Sequence, residues 1–528
     1  MVATDAPLAT AVGVDILREG GNAIDAAIAI AFTLAVVYPE AGNIGGGGFM
    51  VARMADGTAA ALDFREKAPL AASRDMYLDA QGEPTDRSVT GHLASGVPGA
   101  VAGLWEAHRR FGSVPWADLI APAIRLARAG FVVDSAWAAS LHAAADRLRA
   151  FDASRALFLP QGSPPETGAE WRNPDLATVL ERIARHGADG FYRGETAELI
   201  IAEMRRGGGR ITHEDLAAYQ ATWRSPVSIR YRGHTILSMP PPSSGGITLG
   251  LILGVLEEFP LSGGGWHSEQ HVHLVAEAMR RAFADRNTFL GDPDHVGIPD
   301  FLTDSAYAAR LAATLDPAHA SRSADIRPGS ARPPEPQQTT HFSVVDEAGN
   351  AVALTTTINE LYGSAVTLSG GGFLLNDEMD DFTIRPGTPN LYGLVQGEAN
   401  AIAPGKRMLS AMTPLIMTAP DGRVLLVTGA RGGPRIISAV AQVISNIVDF
   451  GLPVGAAVHA PRIHHQHLPD VLYYEAGGLD TATVRALERM GHTVEARGAI
   501  GSGPAILWNG VAWTAVPDPR TGGLAAGY

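Results

Sequence analysis

Gln338-Thr339-Thr340-His341-Phe342-Ser343-Val344-Val345-Asp346 is the stretch on which the reading of this chain turns. Upstream, residues 321–338 read SRSADIRPGSARPPEPQQ, with four prolines and no hydrophobic period, the composition of a loop or linker. At residue 340 the pattern switches. Residues 340–345 alternate, Glu347-Ala348-Gly349-Asn350 is a turn, and 351–358 supplies a second arm, which together read as a β-hairpin. A flexible linker ending abruptly at the first residue of a hairpin is unusual, and an ordinary boundary between domains is one account of it.

Toward the N-terminus the chain reads as helices. Residues 9–18 and 22–37 have helical spacing and are joined at Gly20-Gly21, with Asn22 as the cap of the second. The apolar run 23–38, AIDAAIAIAFTLAVVY, is interrupted by Asp25 and is shorter than the roughly 20 residues of a bilayer span. It reads as a buried helix, and no transmembrane segment is expected. The run Gly42-Asn43-Ile44-Gly45-Gly46-Gly47-Gly48 leads into strand-like Phe49-Met50-Val51-Ala52. More helical pattern covers 98–130 and 176–207, a proline-rich turn at 240–246 precedes the apolar segment 247–256, and a further helix covers 436–449.

With 528 residues, 46% apolar and 18% charged, the chain can build one large α/β unit or two to three domains. Its net charge of −14 argues against nucleic acid or an anionic membrane as partner and points to small molecules or proteins. The absence of cysteine excludes disulfides, thiolate metal sites and cysteine nucleophiles, and is compatible with any compartment. No basic stretch followed by an apolar segment and a cleavage site opens the sequence, so the expectation is an intracellular protein or one whose leader lies outside it.

Three motifs are set aside. Gly45 to Gly48 precede a strand rather than GK[ST] and a helix, so they are no P-loop. His464-His465-Gln466-His467 lacks the spacing of known zinc motifs and reads as packing. Ser243-Ser244-Gly245 does not supply the GxSxG elbow of a serine hydrolase.

The block from Gln338 to Asp346, with Gly349-Asn350-Ala351-Val352-Ala353 after it, closely resembles the start of the small subunit of the γ-glutamyltranspeptidase family. The likeness runs along almost the whole chain: EGGNAIDAA (19–27), PEAGNIGGGGFM (39–50), LDFREKAP (62–69), HLASGVPG (92–99), MPPPSSGG (239–246), LLNDEMDDF (374–382), PNLYGL (389–394) and AAGY (525–528). The resemblance implies an N-terminal-nucleophile hydrolase, an α/β protein built as an αββα four-layer sandwich. It also implies one precursor cut before Thr339, with residues 1–338 as the large subunit and 339–528 as the small one, held together as a heterodimer. The chemistry agrees. A threonine hydroxyl is a weak nucleophile until a base removes its proton, and the α-amine freed by the cut, with a pKa near 8, is such a base on the same residue.

Further roles follow from the same resemblance. Thr357, on the second arm, assists Thr339; without the family, Thr355-Thr356-Thr357 is a β-branched strand. Asn359, Glu378 and Asp381 match positions that hold the donor's α-ammonium, where carboxylates and an amide oxygen suit a buried cation. Taken alone, Asp377 to Asp381 is equally a solvated acidic turn or a calcium loop. Arg65 matches the arginine that pairs with the α-carboxylate. Ser410 matches the first of two adjacent serines at that carboxylate, and the second is here Ala411, which retains a backbone N–H but no hydroxyl. Gly432-Gly433 matches the oxyanion hole, although the usual GSPGGS is here Gly429-Ala430-Arg431-Gly432-Gly433-Pro434. Residues 386–397 match a lid over the donor pocket with Tyr392 as its gate.

The implied activity is cleavage of γ-glutamyl amides such as glutathione and transfer of the acyl group to water, an amino acid or a peptide. No cofactor and no metal are expected, and the expected location is periplasmic or secreted. A cephalosporin or glutaryl-amide acylase of the same superfamily is the rival raised by Ala411. An uncut, non-catalytic homologue is a second rival.

Overall fold

The hairpin is present as the strands Thr340–Val345 and Ala351–Thr357, paired antiparallel from Ala351–Val345 to Thr356–Thr340. It is seen in a computed structural model that describes residues 1–326, 339–390 and 393–528. Residues 327–338 of the proline-rich segment, Gln338 among them, lie outside the described residues, as does Tyr392.

The hairpin is central to a seven-stranded sheet ordered Leu524–Ala526, Val2–Thr4, Thr340–Val345, Ala351–Thr357, Gly47–Arg53, Ala59–Phe64 and Thr222–Arg224. Side chains alternate across it, as strand geometry requires. Phe342, Val344, Val352 and Leu354 enter a core with helices Pro7–Arg18, Ala23–Val37, Ala100–Phe111 and Trp116–Ala129. Val345, Ala351 and Ala353 face the opposite way, into a core shared with the second sheet. That sheet has six strands, ordered Trp513–Val516, Ala505–Trp508, Val424–Thr428, Leu415–Thr418, His234–Ser238 and Val227–Tyr231. The helices Gly245–Glu257, Glu269–Phe289 and Arg435–Val448 cover its outer side. The layers are therefore helices, sheet, sheet and helices. Both sheets contain strands from before and after residue 338, since Val2–Thr4 and Gly47–Arg53 flank the hairpin and His234–Ser238 pairs with Leu415–Thr418.

Local sequence explains the elements that matter most. Asn22 caps the helix Ala23–Val37 by accepting from the Ile24 and Asp25 backbone N–H groups, while the Asp25 carboxylate accepts from Asn22 N at 3.0 Å. The charge that interrupts the apolar run is thus half of a capping box. The glycine run serves close approach rather than phosphate: a Cβ on Gly46 would lie 1.9 Å from the Thr357 carbonyl oxygen. The helical pattern at 176–207 is three helices, Pro174–His186, Asp189–Tyr192 and Gly194–Gly207, broken at Gly187 and Gly194, both with positive φ. The 21-residue helix Glu269–Phe289 was not legible as amphipathic, because Glu277, Arg280, Arg281 and Arg286 are buried in it along with its apolar residues.

Candidate active site

Hairpin register brings the first two site residues together. One step beyond the Thr356–Thr340 pair, Thr339 stands opposite Thr357, with their Oγ1 atoms 3.4 Å apart, the long end of a hydroxyl contact. Both are buried. Thr357 Oγ1 also accepts from the Asn359 N–H at 2.8 Å. Asn359 has left-handed backbone, φ +73°, and its Nδ2 donates to the Asp377 carbonyl at 3.1 Å. That bond ties the strand end to the acidic segment that follows.

Nine of the eleven residues named from sequence line one tight pocket: Thr339, Thr357, Asn359, Arg65, Glu378, Asp381, Ser410, Ala411 and Gly433. Gly432 directly precedes Gly433, and Tyr392 lies outside the described residues. Gly432 and Gly433 both have positive φ, +124° and +56°. Their carbonyls accept from Arg435 N (3.2 Å) and Ile436 N (3.0 Å), so the glycine loop is bound to the first turn of the 14-residue helix Arg435–Val448. The positive end of that helix dipole is therefore at the pocket, where an oxyanion would be stabilised.

The charged wall differs in one respect from the expectation. Arg65 was read as the partner of an α-carboxylate, with Glu378 and Asp381 as partners of an ammonium. In the structure Arg65 ion-pairs with Glu378 and Asp381 themselves, and lies 3.5 Å from Glu66. Burial works against the Arg65 charge, but Glu378, Asp381 and Glu66 together hold its pKa above the ordinary guanidinium value. Burial pushes Glu378 well above the usual carboxylate range, with Arg65 opposing, and raises Asp381 in the same way. Glu66 is pushed up to about 7 by burial. The Glu378 carboxylate is fully buried against the Arg65 guanidinium. An α-amino acid zwitterion carries the same two charges in the opposite sense. It can exchange partners with this cluster without leaving a bare charge.

Distant segments hold these groups in place. The MPPPSSGG turn positions Ser410: its carbonyl accepts from Ser244 N (2.7 Å) and Ser244 Oγ (2.6 Å), and its N–H donates to Pro242 O (2.9 Å). Asn376 donates to the Gly45 and Gly96 carbonyls at 2.9 and 2.8 Å, joining the glycine run, the HLASGVPG segment and the acidic turn. The acidic turn is buried rather than solvated; Asp377 accepts from Glu360 N and Asp380 from Ser88 Oγ. His341, next to Thr340, is fully buried between Thr355 and Ser343, and burial pulls it down to about 3. It is neutral at physiological pH and committed to its neighbours. His464, His465 and His467 are buried as well, and among the described residues no cluster of His, Asp or Glu has the geometry to hold a metal.

Sequence reasoning missed Arg286, which lines the same pocket from the helix Glu269–Phe289, and Glu66 beside Arg65. The signal for Arg286 was weak, because it lies in a segment whose other arginines serve the fold.

The sequence model of the gamma-glutamyltranspeptidase family matches residues 9–528. The chain is 48% identical to the glutathione hydrolase proenzyme of Escherichia coli (strain K12) over 534 residues, covering 100% of this chain and 92% of that protein. Among solved structures, cephalosporin acylase from Bacillus halodurans superposes with a TM-score of 0.87 at 29% identity, over 100% of this chain and 95% of that one. Helicobacter pylori gamma-glutamyltranspeptidase gives 0.61 at 46% identity, over 62% of this chain and 95% of the other. The chain belongs to the γ-glutamyltranspeptidase family, and its fold is the four-layer αββα sandwich of the N-terminal-nucleophile hydrolases.

Proposed function

We propose that the protein is a γ-glutamyl-transferring amidohydrolase that cuts its own chain between Gln338 and Thr339 and then uses Thr339 as nucleophile. The observation that carries this reading is the position of Thr339: it directly precedes the central strand, opposite Thr357, in the same pocket as Gly433 and among charges that complement an amino-acid zwitterion. The designation of the Escherichia coli relative as a proenzyme supports the cut.

The α-amine of Thr339 takes the hydroxyl proton, and Thr339 Oγ1 bonds to the γ-carbonyl carbon. Thr357 orients the hydroxyl. The N–H groups of Gly432 and Gly433 receive the charge that develops on the carbonyl oxygen. The C–N bond then breaks, and the leaving amine takes the proton held by the α-amine. A γ-glutamyl ester on Thr339 remains, and water or an amine acceptor attacks it by the same route in reverse. Arg65, Ser410 and the Ala411 N–H hold the α-carboxylate; Asn359, Glu378 and Asp381 hold the ammonium. Tyr392 is assigned the gate on the strength of the family alone. Glutathione is the proposed donor, in line with the relative's name.

The acylase reading has one favourable observation, the missing hydroxyl at Ala411. A glutaryl amide carries no ammonium, however, and would leave Glu378 and Asp381 sharing the guanidinium of Arg65, with no ligand cation to offset the second carboxylate. Because strands from both sides of the cut share each sheet, the two fragments are proposed to remain a heterodimer. A periplasmic or secreted location is part of the same proposal; among the described residues no helix is long and apolar enough to cross a membrane.

Mass spectrometry of the purified protein tests the whole reading. Expected are two fragments, 1–338 and 339–528, and a γ-glutamyl adduct on the smaller one during turnover of γ-glutamyl-p-nitroanilide. A persistent full-length chain, or turnover of a glutaryl anilide without turnover of the γ-glutamyl one, overturns it.

A further inference from the structure

Arg286 lies at the pocket wall, near the end of the helix Glu269–Phe289, and is 1% exposed. Its hydrogen bonds go to two neutral oxygens: Nε donates to Ser244 Oγ at 3.0 Å and Nη1 to Asn287 Oδ1 at 2.9 Å. No carboxylate among the described residues is within ion-pair distance of it. Burial pulls its pKa down to about 10, with Asp381 the charge that opposes this. A buried guanidinium with only neutral partners is costly unless a further anion joins it.

The charge balance of the pocket says where that anion comes from. Glu378 and Asp381 both pair with Arg65, so Arg65 alone leaves this wall with an excess of negative charge. Such a wall would welcome an ammonium and repel a carboxylate. Arg286 adds a second buried cation to a wall that holds Arg65 with the acids Glu378, Asp381 and Glu66, and so brings it closer to the balance a net-neutral zwitterion needs. It also lies on the carboxylate side. The Ser244 hydroxyl that accepts from Arg286 donates to the Ser410 carbonyl at 2.6 Å, so Arg286 is one hydroxyl away from the Ser410–Ala411 segment.

We propose that Arg286 is a second guanidinium for the α-carboxylate of the γ-glutamyl donor, a substrate-binding residue that compensates for the hydroxyl absent at Ala411. The inference rests on the γ-glutamyl reading above. It adds the claim that donor selection depends on two arginines, of which Arg65 also serves the acids and Arg286 serves the substrate carboxylate.

Two p-nitroanilides separate the substrate's charges. The 4-aminobutanoyl anilide is the γ-glutamyl anilide without its α-carboxylate, and the glutaryl anilide is the same donor without its ammonium. In Arg286→Gln, kcat/KM for the γ-glutamyl anilide should fall about 10- to 100-fold, the range for a lost hydrogen bond to a charged group, mainly through KM. Turnover of the 4-aminobutanoyl anilide should stay within about threefold, so the ratio of the two donors collapses. A merely structural role would lower both donors together and leave that ratio unmoved, which would overturn the proposal. Where Arg286→Gln does not accumulate as cleaved protein, Arg286→Lys is decisive. It keeps the buried charge but lacks the planar fork that holds Ser244 and a carboxylate in fixed geometry, so the same ratio should fall by about 3- to 10-fold; an unmoved ratio again overturns the proposal. Failure of the γ-glutamyl reading itself would look different, because the unsubstituted enzyme would not turn over the γ-glutamyl anilide at all.

Discussion

The helix Glu269–Phe289 carries two kinds of buried arginine. Arg280 and Arg281 both meet Glu277, at 2.9 and 2.5 Å, and Arg280 also pairs with Asp470. Burial would raise Glu277, but Arg280, Ser321 and Arg281 overcome it and pull the acid down to about 2. Asp470 is likewise held below the usual carboxylate range. Further along the same helix, Arg286 bonds two neutral oxygens among the described residues and is pulled down by burial, while Glu378 and Asp381 across the pocket are pushed up. Glu277 and Glu378 are equally buried, yet the acids of the two regions shift in opposite directions. What differs is the matching of charge. In the Glu277 cluster every charge is answered by the protein, which is what a fold needs. In the pocket the matching is incomplete, and an unmatched buried charge is tolerated where a ligand completes it.

Substitutions in the two regions should therefore separate turnover from stability. Thr339→Ala should have the largest effect on turnover: no cut, a single full-length band, and a loss of about 10⁴-fold or more in kcat. Its thermal unfolding midpoint should stay near that of the uncut chain. A cut chain, or turnover within tenfold of the parent, would remove Thr339 from the nucleophile's role. Glu277→Gln should do the reverse. It leaves Arg280 and Arg281 short of their shared counter-charge and should cost about 3–5 kcal/mol in denaturant unfolding. The donor ratio defined by the γ-glutamyl and 4-aminobutanoyl anilides should not change. A shift in that ratio would show that the cluster is part of the binding machinery after all.

The same contrast explains what could be read from sequence. The hairpin was legible because its arms alternate and its turn is polar, and the register that sets Thr339 against Thr357 follows from counting along those arms. Asn22 was legible as a cap, but Asp25 looked like an interruption until its bond to Asn22 showed the capping box. Arg65, Glu378 and Asp381 were found only through the family resemblance, and their mutual pairing was not foreseen, since contacts spanning more than 300 positions leave no local pattern. Arg286 was missed because nothing in a one-dimensional pattern separates a buried arginine that meets Glu277 from one that does not.

A pH titration sharpens the comparison at smaller amplitude. Glu66 and Glu360 are buried and pushed up from 4.5 to about 7, mainly by burial. Between those values the folded chain keeps protons that the unfolded chain releases, so their contribution is fully present below about pH 4.5 and is lost as pH rises through about 7. Glu66→Gln removes one of the two titrations. It should flatten the decline in stability over that window and leave the variant more stable than the parent at pH 8, by up to about 3 kcal/mol. Identical pH profiles for the two proteins would show that Glu66 is ionised in the fold throughout.

The smallest expected effect tests the boundary between the regions most directly. Ala411 lines the pocket beside Ser410, with its carbonyl held by Thr413 Oγ1 at 2.9 Å, so a serine there would add its hydroxyl at the pocket wall. Ala411→Ser should lower KM for γ-glutamyl-p-nitroanilide about fivefold, near 1 kcal/mol, the net worth of one hydrogen bond. The informative comparison is the same change made in Arg286→Gln. If both groups address one carboxylate, the serine should help more where the guanidinium is absent, because it then replaces a lost partner rather than joining a satisfied one. Equal gains in the two backgrounds would mean that Arg286 and residue 411 do not share a ligand atom, and that Arg286 belongs with Arg280 and Arg281 among the arginines of the fold.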